Sequence, residues 1–154
     1  MLLLILLLNL HHQQHLCLIK LQLPTRIPLR VGKKLIQAIQ LNPYRNWHFH
    51  LNNKLKEMYS DSIEPILNTF DKLEPPIRLS YTLKAKDKRK RDLGNMCYIV
   101  DKFFCDALVK SELIEDDNYF IIDDIRFHFS GLDNSLRDNY EIEVTIYDRT
   151  DTGQ

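Results

Sequence analysis

The chain has 154 residues, enough for one domain with a real but modest core. Apolar residues make up 44% and charged residues 27%, and only 4 Gly and 6 Pro occur, which argues against disorder. Formal net charge is zero, so composition alone gives no reason to expect a nucleic-acid partner, yet the charge is unevenly spread: 18 Lys+Arg face 9 Asp+Glu up to residue 111, and 3 face 12 from Glu112 onward.

The chain begins MLLLILLLNLHHQQHL. Its apolar run is about ten residues, against the ~20 that a spanning helix needs. The first cation is Lys20 and no small-residue cleavage pattern follows, so a secretory peptide is not expected either. Residues 1–15 read as an extension outside the core, or as translated sequence upstream of the true start. His11, His12 and His15 could bind a metal adventitiously, with no partner ligands in view. Cys17, Cys97 and Cys105 form no disulfide framework and read as small buried residues of a cytoplasmic, reducing compartment. No membrane association is expected.

Residues 16–22 alternate well enough for a strand. Residues 23–34 follow as turn punctuation, with Pro24, Pro28 and Gly32. A second short strand is predicted over 35–41, then a polar and aromatic stretch over 42–53. Helical spacing covers 54–70, broken or kinked near Pro65. EPPIR, 74–78, is a firm stop, and RLSYTLKA is a strand. Over 95–111 Met96, Ile99, Val100, Phe103, Phe104, Ala107 and Leu108 recur at helical spacing. After a loop at 111–118, YFIIDDIRFHFSG and YEIEVTIYD read as two strands joined by a turn at GLDNSLRDN. The order is β, β, α, β, α, β, β. It predicts one α+β domain over 16–150, with a mixed or antiparallel sheet and two main helices.

The second helix carries polar residues in a pattern. At about 100° per residue, Lys102 and Asp106 fall within about 20° of Asn95, on one narrow polar stripe. Asp101 lies about 120° away from it. A solvated face with a Lys–Asp i, i+4 pair would explain the stripe. The flanks allow more. Asp92 precedes the helix, and Asp116 and Asp117 follow it. If Asp117 folds back towards Asp92, two carboxylates and an amide converge. That is the oxygen donor set of a hard cation such as Mg²⁺, which activates water and neutralises charge on a phosphodiester. Asp92 also reads as an N-cap and Asp116–Asp117 as turn residues, and the readings are not exclusive.

Directly before Asp92 stands KAKDKRKR, 84–91, with six cations: Lys84, Lys86, Lys88, Arg89, Lys90 and Arg91. It is either a solvated loop or a phosphate-contacting one that delivers a backbone to the carboxylates.

The segment RDLGNMCYIVDKFFCDALVKSELIEDDN, 91–118, resembles the RusA-type Holliday junction resolvases of phages and prophages. Their pattern is Asp-x-Asp-Asn, a helical Lys, Asp-Ala-Leu, then Asp-Asp. NPYRNWHFHLNNKLKEMY, 42–59, is similar to the family's Asn- and Arg-bearing segment. The resemblance spans roughly residues 16–149. It implies an α+β fold that dimerises, and a Mg²⁺-dependent (or Mn²⁺-dependent) endonuclease cutting four-way DNA junctions in recombination and repair. By position it implies Asp92, Lys102 and Asp117 as catalytic residues, and Asp92, Asp117, Asp116 and Asn95 around the metal. Arg45 resembles a position near DNA, beside the cationic block. Two departures stand out. The span from Asn95 to Asp106 is four residues longer than in the best-known members. Gly94 occupies the place of the family's second carboxylate, with Asp106 or Asp116 the better substitutes than Asp101, which points off the stripe. A relative that binds junctions without cutting them is the alternative.

His48 and His50 alternate as in a strand, without a third zinc ligand at a fitting spacing. Tyr44, Trp47 and Phe49 read as core or as base-stacking residues. Lys54 and Lys56 read as phosphate-binding or solvated side chains. Asp123 shares an apolar strand face, where a buried unpaired carboxylate would be costly; a bulge there, or a role near the site, would relieve it.

Overall fold

The computed structural model describes residues 16–31 and 33–149. The predicted extension over 1–15, with His11, His12 and His15, lies outside the described residues, as does the side chain of Cys17. Nine elements follow in order: β1 (Leu16–Leu23), β2 (Arg26–Val31), β3 (Lys34–Ala38), α1 (Leu41–Arg45), α2 (Phe49–Leu67), β4 (Ile77–Ala85), α3 (Leu93–Lys110), β5 (Ile122–Leu132) and β6 (Tyr140–Arg149).

The main sheet has the strand order β1-β6-β4-β5. β1 and β4 pair antiparallel to β6, and β5 pairs parallel to β4. A parallel neighbour needs a crossover, and α3 supplies it. The class is therefore α+β with one mixed sheet, as the sequence predicts, plus a separate β2–β3 hairpin.

The core follows the two periodicities. On β4 every second residue, from Ile77 through Leu79, Tyr81 and Leu83 to Ala85, is buried. On α3 all seven predicted apolar positions are buried, joined by Cys97 and Cys105. Phe103 and Phe104 are almost wholly enclosed. Burying a side chain of that size contributes roughly 1.5–3 kcal/mol. α1 and α2 pack on α3, and α3 packs on β4 and β5. Among the described residues, no helix is long and apolar enough to cross a membrane.

Four local features differ from expectation. Residues 26–31 are a strand rather than turn punctuation. Pro28 is tolerated where the β2–β3 register is irregular between Arg26 and Leu29. The helix predicted over 54–70 begins at Phe49, with His48 as its N-cap accepting from the His50 amide at 3.4 Å. His48 and His50 thus stack at a helix start (5.2 Å between rings) instead of alternating on a strand. Pro65 sits within this helix, two residues from its end. Finally, β5 begins at Ile122, and Tyr119 and Phe120 are exposed in the turn before it. The β4–β5 register slips between Ile77/Ile122 and Arg78/Asp124, so Asp123 is the extra residue of a bulge. There it is exposed and pairs with Arg78 at 3.1 Å, so no buried carboxylate arises.

Candidate nucleic-acid interface and carboxylate pair

The cationic loop leaves β4 at Ala85 and runs to Asp92. It is curled around Asp87, whose carboxylate accepts the Arg89 amide at 3.0 Å and the Arg91 guanidinium at 2.9 Å. Arg91 also donates to the Arg89 carbonyl at 3.3 Å. These bonds hold the Asp87 carboxyl below its usual range, the Arg91 hydrogen bond first among them. Arg91 is thereby committed to the loop's own shape. Lys84, Lys86, Lys88, Arg89 and Lys90 are exposed. Among the described residues, Lys88, Arg89 and Lys90 enter no ion pair.

The loop ends on the N-terminus of α3. Asp92 caps that helix, its Oδ1 accepting the Asn95 amide at 2.9 Å. Asn95 Oδ1 in turn accepts the Asn42 amide at 2.8 Å and ties α3 to α1. Arg45 is exposed at the end of α1. The amides of the first turn and the positive end of the helix dipole add to the loop's attraction for anions. Gly94 stands against the cap: a Cβ there would lie 3.3 Å from Asp92 Oδ1.

The polar stripe on α3 exists, and it faces the other helices. Asn95 meets α1. Lys102 reaches over the Tyr44 ring, with Nζ 5.9 Å from its centroid. Asp106 pairs with Lys56 of α2 at 2.8 Å. Tyr44 sits edge-on to both Trp47 and Phe103, so Tyr44 and Trp47 are packing residues, whereas Phe49 is exposed. Asp106, a predicted substitute acid, is already committed to a lysine.

Along the chain, α3 stands between the predicted carboxylates. Its 18 residues span about 27 Å at 1.5 Å per residue. Asp92 stands at the start, and Asp116 and Asp117 follow the end. Asp116 is held in a turn, accepting the Asp117 amide at 2.9 Å and the Asn118 side-chain amide at 2.7 Å. These bonds pull its carboxyl below the usual range, that from Asn118 most. Asp117 is exposed, and its negative field reaches Asp101 and Cys105.

Asp101, set aside on helical geometry, is therefore the carboxylate that shares a field with Asp117. It is half-buried in the middle of α3, on the side that meets β4. Its Oδ1 accepts the Tyr81 hydroxyl at 2.6 Å and the Cys105 thiol at 3.4 Å. Burial pushes its carboxyl up, the two hydrogen bonds pull it down, and the Asp117 charge pushes it up again. The same burial raises Tyr81 and Cys105 well above their ordinary ranges and takes Cys97 up to about 12. The sequence did hold a signal: an acid within IVDKFF, on the flank of an apolar face, is rare unless partnered.

Compared with known proteins, the chain matches no family model and no curated protein.

Proposed function

We propose that the protein is a structure-selective, Mg²⁺-dependent DNA endonuclease of the RusA type. It resolves four-way junctions in phage or prophage recombination and repair, as a homodimer in the cytoplasm. The observation that carries this reading is the cationic loop that opens directly onto the start of α3, with four cations, Lys86, Lys88, Arg89 and Lys90, that enter no ion pair among the described residues. Such a loop binds phosphates through charge and hydrogen bonds, without reading bases. Two equal subunits suit a near-twofold substrate.

Cleavage falls to the Asp101–Asp117 pair in this reading. This reading assigns the two hard oxygen donors to Asp101 and Asp117; burial first, and then the Asp117 charge, push Asp101 towards its neutral form, which a bound cation would reverse. Mg²⁺ bound there would supply an activated water and neutralise charge on the scissile phosphate. Tyr81 orients Asp101 through the 2.6 Å hydrogen bond. Lys88, Arg89 and Lys90 hold the flanking backbone.

A second reading, junction binding without cutting, is favoured by Gly94, which brings no carboxylate beside Asp92. One experiment separates the two. Purified protein is incubated with Mg²⁺ and a labelled four-way junction. Paired nicks that vanish in Asp117→Asn and Asp101→Asn, with binding retained, support the endonuclease. Tight, salt-sensitive binding with no nicks supports the second reading. Asp92→Asn isolates that residue's part, because Asn caps a helix about as well as Asp.

A further inference from the structure

β5 is an edge strand, and near its end it departs from regular geometry. Residues three apart on a regular strand face opposite sides. Here Phe129 lies opposite Leu83 but Gly131 opposite Lys84, so Ser130 is an extra residue. Gly131 has φ +118°, a conformation that side-chain-bearing residues rarely adopt. The bulge turns Phe129 and Leu132 into one cavity of about 380 Å³, between β5 and the cationic loop. Leu83 and Met96 also line it, and along its loop side stand Lys88, Arg89 and Lys90 together with the Asp87–Arg91 ion pair. Phe129 is 57% exposed and Leu132 51%, large apolar groups held open to solvent at one spot.

An apolar slot beside exposed cations calls for a ligand with a flat apolar body and adjoining negative charge. We propose that this cavity is a subsite for one unpaired nucleotide of a DNA strand, its base against Phe129 and its flanking phosphates on Lys88, Arg89 and Lys90. The proposal rests on the DNA-binding reading above and adds to it. Bases in duplex are already stacked and leave the slot empty, whereas a branch point offers bases that can be splayed out. Stacking on an aromatic ring is indifferent to base identity, because every base has a π-face. The subsite would thus select branched over linear DNA by shape, not by sequence.

The test uses the full chain in EDTA buffer, so that no cutting occurs. One probe is a four-way junction with 2-aminopurine in a single-nucleotide bulge at the branch; the other is a linear duplex with a paired 2-aminopurine. Anisotropy reports binding, and 2-aminopurine emission reports the base's surroundings. The expected result is an emission change at the bulge on binding, absent with duplex. Phe129→Ala should abolish that change and weaken junction binding about fivefold or more, while duplex affinity stays within about twofold. Phe129→Trp should restore both, which loss of fold would not allow. Junction binding at full strength with no emission change, or with no effect of Phe129→Ala, overturns the subsite and leaves the DNA-binding reading intact. Absence of binding to either probe overturns both.

Discussion

The Tyr81 hydroxyl donates to Asp101 Oδ1 at 2.6 Å, joining the middle of β4 to the middle of α3. Burial raises the Asp101 carboxyl above the ordinary 3.8, so the folded state holds its proton more tightly than the unfolded chain. Stability from this group therefore falls as pH rises from the unfolded value to the raised folded one, and the penalty persists above it. Asp101→Asn keeps an acceptor for Tyr81 and carries no charge. In metal-free buffer, denaturant titrations from about pH 4 to about pH 7 should show a smaller loss of stability with pH in this variant than in wild type. Tyr81→Phe should cost about 1.5 kcal/mol or more, because a half-buried carboxylate loses its strongest donor.

Asp106 forms an ion pair with Lys56 across the α2–α3 seam, and this defines what its loss should do. Asp106→Ala should lower stability by about 0.5–1 kcal/mol, the pair being partly open to water. Junction cleavage should stay within about threefold of wild type, since perturbing a metal site typically costs about 10–100-fold. Thermal melts and gel-based nicking assays on the same preparation would separate the two effects.

Gly94 is the second residue of α3, and a new side chain there would start 3.3 Å from Asp92 Oδ1. Gly94→Asp would place a second carboxylate beside the first at the helix start, where the dipole favours negative charge. Replacing a helical Gly also recovers up to about 0.5–1 kcal/mol, offset by repulsion from Asp92. Residue 94 lies about 10 Å along α3 from Asp101, so Mg²⁺-dependent cleavage should stay within about threefold of wild type if the Asp101–Asp117 pair cuts, and should rise about tenfold or more if the start of α3 holds the metal. Initial nicking rates at saturating Mg²⁺ measure it.

Lys88, Arg89 and Lys90 are free of ion pairs among the described residues, whereas Arg91 is tied to Asp87. Changing the first three together to Ala should flatten the dependence of log affinity on log salt by about two to three, at ~0.9 for each phosphate that is no longer neutralised. Arg91→Ala should instead loosen the loop. Its effect on affinity should exceed its effect on the salt slope. Anisotropy titrations of duplex DNA over a range of NaCl concentrations would give both quantities.

Much of the fold was legible because it depends on local period. The apolar stripe of α3 from Met96 to Leu108 and the alternation of β4 mark their buried faces directly. Other features were hidden because they depend on distant partners. β2 lies among prolines and is held by its pairing with β3. The helix start at Phe49 turns on the His48 cap. Asp123 is turned out to solvent by a bulge in the β4–β5 register, where it meets Arg78, 45 residues away.

The candidate site divides in the same way. The cationic block, the acid that ends it, the helix behind it and the acidic turn beyond are each a run of neighbours, so local composition and period reveal them. What each acid faces depends instead on how distant elements pack. Asp92 stands at the start of α3, while the Asp117 charge is felt at Asp101, in the middle of that helix. The sheet below lends Asp101 the Tyr81 hydroxyl, and α2 lends Asp106 a lysine. Helical angle alone ranks residues on one cylinder, but the field at a carboxylate is set by whatever packs against that cylinder.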